Sequence, residues 1–200
     1  MSKRFENMTK IPQEPAARLL SEANTKLATK LEAPASAMPD AVLAELDEKG
    51  EIVDMLRLMS VLLPSRERVW WACLAARDFI GPAPENNTAA LAAAEAWVFK
   101  PSDENREKAS IAIDQADMDD ETAKCAMSAL YADGKLGVGD LEHQPAPPGA
   151  SEVMAFAVNI IALGEHEGDF EGYAQMLIDR AVNIARGGNG SAVAEAAAEG

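Results

Sequence analysis

The chain is poor in the side chains that most often do chemistry. It has two histidines, two cysteines and only 5% aromatic residues among its 200 positions. A histidine-based metal centre needs convergent ligands, yet His143 lies in a Pro/Gly-rich stretch and His166 at a predicted helix end. Cys73 and Cys125 both fall inside apolar helical patterns, where a free thiol behaves as a small buried hydrophobe rather than as a disulfide or redox partner. Positive charge is also scarce: 18 Lys and Arg stand against 33 Asp and Glu, a net charge of -15. That balance excludes a phosphate-binding face, so no nucleic-acid partner is expected. No apolar run approaches the roughly 18 residues of a membrane span. The first thirty residues lack the apolar core of a secretory signal. A cytoplasmic protein without membrane insertion is expected.

Alanine and helical periodicity are what the sequence does have. Apolar residues reach 48%, much of it in runs such as Ala92-Ala93-Ala94. Small side chains let helix axes approach closely, and Ala has the best helix propensity. Ala16, Leu19, Leu20, Ala23, Leu27 and Leu31 recur at helical spacing behind Pro15, predicting a first helix over roughly 14–31. Pro39 and Asp40 open a second, which Gly50 stops in a left-handed cap. A third covers about 51–63, and Pro64 turns the corner into a fourth at 65–80. Thr88 or Asn87 caps a fifth that ends before Pro101. Ser102, Asp103 and Glu104 start a sixth. Asp119–Glu121 lead into a seventh that buries Ala123, Ala126, Met127 and Leu130. Two more follow, from Ser151 to Gly164 and over 169–186, the latter with Phe170, Tyr173, Ala174, Leu177, Ala181 and Ile184 turned inward.

No segment shows strand alternation bounded by turn signals. The expected fold is therefore all-α, with eight or nine helices in a multi-helix bundle or in stacked helical hairpins, and no sheet. The expected organisation is a flexible segment at 1–13, one helical domain at 14–187, and a flexible tail at 188–200. Residues 134–150, with their glycines and prolines, break the domain as an ordered loop or a linker. A repeat near 34 residues is not supported beyond loose Ala/Trp similarity between Val69–Ala76 and Ala90–Val98.

Chemical motifs are sparse. Glu165, His166, Glu167 and Asp169 lack both the alternating oxygen spacing of a calcium loop and the paired histidines of a zincin. The glycines of 134–139 and 187–190 follow no strand and end in no Gly-Lys-Ser/Thr, so they read as helix stops. The carboxylates of Asp117–Glu121 suit a helix start better than paired acid–base work. No catalytic residue, metal ligand or cofactor is expected.

The fourth helix is the distinctive segment. Val69, Ala72, Cys73, Ala76, Phe79 and Ile80 make one face, and Trp70, Trp71 and Leu74 widen it. Neighbouring residues are about 100° apart, so the two tryptophans cannot share one stripe. Trp71 is assigned to packing. Arg66, Trp70 and Arg77, spaced by four and seven, form the candidate protein-binding surface, with Arg66 stacking on Trp70 either structurally or as part of recognition.

The run Leu63-Pro64-Ser65-Arg66-Glu67-Arg68-Val69-Trp70-Trp71-Ala72-Cys73, the later Ala94-Glu95-Ala96-Trp97-Val98, and Pro101-Ser102 through Asn105-Arg106 resemble an uncharacterised bacterial all-helical family sometimes found near type VI secretion genes. The resemblance covers roughly 45–190. It implies a non-enzymatic protein-interaction factor, such as a type VI secretion accessory, adaptor or chaperone, whose partner is a secretion component or effector. It transfers no catalytic residue. Two alternatives stand beside it: an immunity protein whose acidic face blocks a basic toxin, and an enzyme whose site is not readable from sequence.

Overall fold

Pro64 and Gly81 bracket the helix against which four others pack. The structure, a computed structural model, describes residues 3–191. In chain order the helices are α1 (Ala16–Glu22), α2 (Pro39–Lys49), α3 (Ile52–Leu62), α4 (Ser65–Ile80), α5 (Ala89–Phe99), α6 (Asp103–Gln115), α7 (Ala123–Leu130), α8 (Ala150–Glu165) and α9 (Phe170–Ala185). Among the described residues there are nine α-helices, short 3-10 turns at Lys3–Phe5 and Gly139–Leu141, and no strand. The fold is all-α, and none of these helices is long and apolar enough to cross a membrane.

α4 packs against α5, α7, α8 and α9. Val69, Trp71, Ala72, Cys73, Ala75 and Ala76 are all sealed from solvent, so the apolar arc wraps most of its circumference. The indole Nε1 of Trp71 donates to the Leu177 carbonyl of α9 at 3.0 Å, which satisfies its one polar atom. α5, α6 and α7 meet through Ala90, Ala93, Ala109, Ala112 and Ala126, the close packing that an alanine-rich composition predicts. Gly50 ends α2 with φ +72°, the left-handed cap expected of it. Thr88 caps α5 by accepting from the Leu91 amide at 3.1 Å, and Ser102 caps α6 through Asn105.

The expected first helix over 14–31 is corrected by the structure. It ends at Glu22, Asn24 takes φ +47°, and the chain then runs without helix to Met38. Ala23, Thr25, Leu27, Thr29, Leu31 and Ala33 are part-buried while the residues between them are exposed. That alternation has period two. Positions 23, 27 and 31 share a face in a helix and also in an extended chain, so the apolar spacing alone cannot separate the two.

Among the described residues no neighbouring strand satisfies this segment, and side chains do so instead. The Thr29 amide donates to Asp54 Oδ2 at 2.7 Å, and the amides of Glu32 and Ala33 donate to the two oxygens of Glu45 at 2.6 and 2.9 Å. Lys49 donates to the Lys30 carbonyl and to Glu45. These donors, led by Lys49, hold the Glu45 carboxyl down at about 2.

The N-terminal segment also differs from expectation. From residue 3 onward it is bedded on the body, with Phe5, Met8 and Ile11 buried in the core. Arg4 bridges Asp47 and Asp179, both at 2.7 Å, and the Lys10 amide donates to Ala185. At the other end, Gly190 is buried and its amide donates to Asn183 Oδ1 at 2.9 Å. The rest of the expected flexible tail, residues 192–200, lies outside the described residues. Phe170, placed inward from its spacing, is 55% exposed, because it occupies the first turn of α9, beyond the end of the packed interface.

Residues 134–150 form a bonded loop. The Leu136 amide donates to Gln144 and the Ala146 amide to Gly134, both at 2.8 Å. Gly149 closes the loop with φ +78°, and a Cβ there would lie 2.1 Å from the Ala23 carbonyl oxygen.

Cys73 and Cys125 are free thiols, both fully buried. Burial, reinforced by the neighbouring Cys125 sulfur, pushes the Cys73 thiol well above its ordinary range. The folded protein is therefore expected to leave both thiols unmodified by a chromogenic disulfide reagent at mildly alkaline pH, and to expose both in guanidinium. Stoichiometric labelling under native conditions would contradict this assignment.

Candidate functional site

Three consecutive large apolar residues at the end of α5, Trp97, Val98 and Phe99, cannot all face one side of a helix, because each step turns about 100°. Trp97 goes into the core and Val98 is part-buried. Phe99 is left 87% exposed. It stands beside a groove of about 570 Å³ between the first turns of α4, the end of α5 and the Gly188–Asn189 turn.

The floor of this groove includes Trp70, Val98 and Ile184. Trp70 is part-buried, and its Nε1 donates to the Asn189 carbonyl at 2.8 Å, so the ring edge is anchored while part of the ring stays accessible. Arg66, one turn earlier, donates its Nε to the Val98 carbonyl at 2.6 Å. That carbonyl belongs to the last turn of α5, where a cation complements the helix dipole. The remaining nitrogens of Arg66 have no acceptor among the described residues. Lys10 and Glu67, paired at 2.6 Å, form the opposite rim.

The three residues expected to act together are thus divided. Arg66 and Trp70 line one groove, while Arg77 is a clamp outside it. Arg77 holds Glu95 bidentately at 2.7 and 2.8 Å and reaches Asn87 at 2.6 Å, tying α4 to α5 and to the preceding loop. The Glu95 carboxylate keeps the Arg77 guanidinium protonated more firmly than usual. Arg66 does not depend on Trp70 for its placement. The cation–π contacts among the described residues are Arg4 over Phe5 and Arg57 over Phe156.

Reasoning from motif spacing missed Phe99, Lys10 and Asn189. Phe99 was legible in principle, from the run of three large apolar residues. Lys10 and Asn189 carried no signal, because the fold brings them from opposite ends of the chain.

The other polar clusters are tied into the scaffold. Asp120 closes the turn before α7 by accepting from the Thr122 amide at 2.9 Å. Asp169 caps α9 by accepting from the Gly172 amide at 3.0 Å. The His166 ring stacks on Tyr173 at 4.0 Å. The Tyr173 hydroxyl donates to Asp78 at 2.8 Å, and Arg180 donates to both oxygens of that carboxylate. Burial, together with the bond to Asp78, raises the Tyr173 phenol above its ordinary range, so it stays a donor pinning α9 to α4. Among the described residues no group of three or more His, Cys, Asp or Glu side chains is placed to hold a metal ion.

A family model described as a family of unknown function, DUF6931, matches residues 42–185, from within α2 to the last residue of α9. The chain belongs to that family. The match includes Arg66, Trp70, Glu95, Val98 and Phe99, and leaves Lys10 and Asn189 outside it. No curated protein and no solved structure matches the chain.

Proposed function

We propose that this member of a family of unknown function is a cytoplasmic, non-enzymatic protein-interaction factor, an adaptor or chaperone accessory to a type VI secretion component. The observation that carries the interaction reading is the Phe99 ring, 87% exposed beside the part-buried Trp70. Exposed aromatics next to a concave apolar floor and a charged rim are the composition of binding hot spots. The groove suits a partner helix that inserts one apolar side chain between Trp70 and Phe99 and sets a carboxylate against the open nitrogens of Arg66. The link to secretion rests on the sequence resemblance alone.

Phe99→Ser tests this cleanly, because an exposed side chain contributes little to folding. The variant is expected to keep the wild-type melting temperature and to weaken the complex with the secretion component by about thirtyfold, equivalent to about 2 kcal/mol. The measurement is native co-purification with identification of the retained proteins, followed by calorimetric titration. Unchanged affinity would remove the groove from the reading, and absence of any secretion component would remove the secretion link.

A second reading is favoured by the net charge of -15. An immunity protein that covers a basic toxin would use the acidic surface rather than the groove. In that case Phe99→Ser leaves protection of co-expressing cells intact, whereas charge reversal at Glu165, Glu167 and Asp169 weakens it.

A further inference from the structure

A second cavity opens between the turn after α1, α3, the 134–150 loop and α8. It encloses about 420 Å³ and is walled mainly by apolar side chains, among them Val61, Leu136, Pro147, Val153 and Phe156. Arg57 enters it from α3. Its guanidinium carbon lies 4.4 Å from the centroid of the Phe156 ring, a cation–π contact with the apolar wall.

The hydrogen bonding of Arg57 is unfilled. Its Nε is sealed from solvent and makes no hydrogen bond among the described residues; it is ion-paired at 3.5 Å with Asp54 Oδ1, an oxygen that likewise accepts no hydrogen bond. The terminal nitrogens of Arg57 find no acceptor among the described residues. The other charged lining residue, Glu152, is already paired with the buried Arg68 at 2.9 Å. Tyr131, which also lines the cavity, makes no side-chain hydrogen bond among the described residues.

An arginine held by an aromatic ring and by an ion pair at Nε, with its two terminal nitrogens open beside an apolar cavity, is a receptor for a planar anion attached to an apolar body. The volume falls within the range of small-ligand pockets. We propose that this cavity binds a small apolar monocarboxylate, with its carboxylate on the Arg57 fork and its hydrocarbon against Val61, Val153 and Phe156. This site is separate from the Trp70–Phe99 groove and does not depend on the interaction reading.

The probes are octanoate, octanol and inorganic phosphate, titrated by calorimetry and by amide NMR on the full chain. Octanoate is expected to bind one to one and to shift amides at Arg57, Val153 and Phe156. Octanol, which keeps the tail and loses the charge, and phosphate, which keeps the charge and loses the tail, are each expected to bind about tenfold or more weakly. Arg57→Gln should weaken octanoate by a similar factor and leave octanol unchanged. Equal binding of octanoate and octanol to the wild-type chain overturns the proposal without any variant, as does octanoate that fails to bind or shifts residues elsewhere. If Arg57→Gln folds and binds octanoate as tightly as the wild type, the assignment to Arg57 is wrong.

Discussion

Arg106→Met is expected to lower the free energy of unfolding by about 3–5 kcal/mol, as loss of one partner from a buried, charged hydrogen-bond network does. The side chain is 3% exposed and lies at the centre of a fan of acceptors. Its Nε and Nη2 donate to the Leu130 carbonyl at 3.1 and 2.9 Å, and Nη2 also reaches the Gly137 carbonyl at 3.1 Å. Its Nη1 pairs with Asp133 at 2.8 Å and with Asp103 at 3.3 Å. Methionine fills similar space and satisfies none of these. The Leu130 carbonyl that ends α7 and the Gly137 carbonyl within the following loop are then left without their donor. Denaturant unfolding measures the loss, and amide exchange should show residues 131–149 opening first. A loss below about 1 kcal/mol with unchanged exchange in that loop would show that Arg106 is not what holds it.

Trp71→Ala is expected to cost a comparable amount, about 3–5 kcal/mol, by a different mechanism. The ring is 0% exposed and is the largest fully buried side chain, so its removal leaves a cavity between α4 and α9. Trp71→Phe separates packing from the hydrogen bond to Leu177, because it retains most of the ring and removes the indole donor. That substitution is expected to cost clearly less than the alanine change. Trp70→Ala, at a part-buried position, is expected to be milder than Trp71→Ala. Equal losses at the two tryptophans would mean that the burial difference between them does not govern stability.

Much of the architecture was legible because it depends on local rules. Pro64 at the corner, Gly50 in the left-handed conformation, Thr88 and Ser102 as caps, and the apolar arc of α4 each act through neighbours in sequence. The contrast between Trp71 and Trp70 follows from angle alone. The failures share a different cause. Leu27 and Leu31 lie on a helical period that an extended chain satisfies equally, and the choice was made by Glu45 and Asp54, which supply acceptors from α2 and α3. Met1–Gln13 looked too polar to order, yet Phe5, Met8 and Ile11 find a core built by distant helices.

The candidate site divides in the same way. Trp70 and Arg66 were visible as one stripe of one helix. Arg77 shares that stripe but is drawn to Glu95 of α5, a partner that sequence spacing does not reveal. Arg57 carries no signal in the sequence: its setting comes from Phe156 of α8, which packs against the guanidinium, and from the 134–150 loop, which borders the cavity.

The sequence by itself determined the all-α class, most helix ends and the burial of Trp71, because periodicity, caps and breakers act within a few residues of chain. Tertiary structure alone decided which charges are spent on the scaffold and which remain open. A guanidinium's role depends on the acceptors within about 3 Å of it. For Arg66, Arg77, Arg106 and Arg57, those acceptors, or the lack of them, come from other helices.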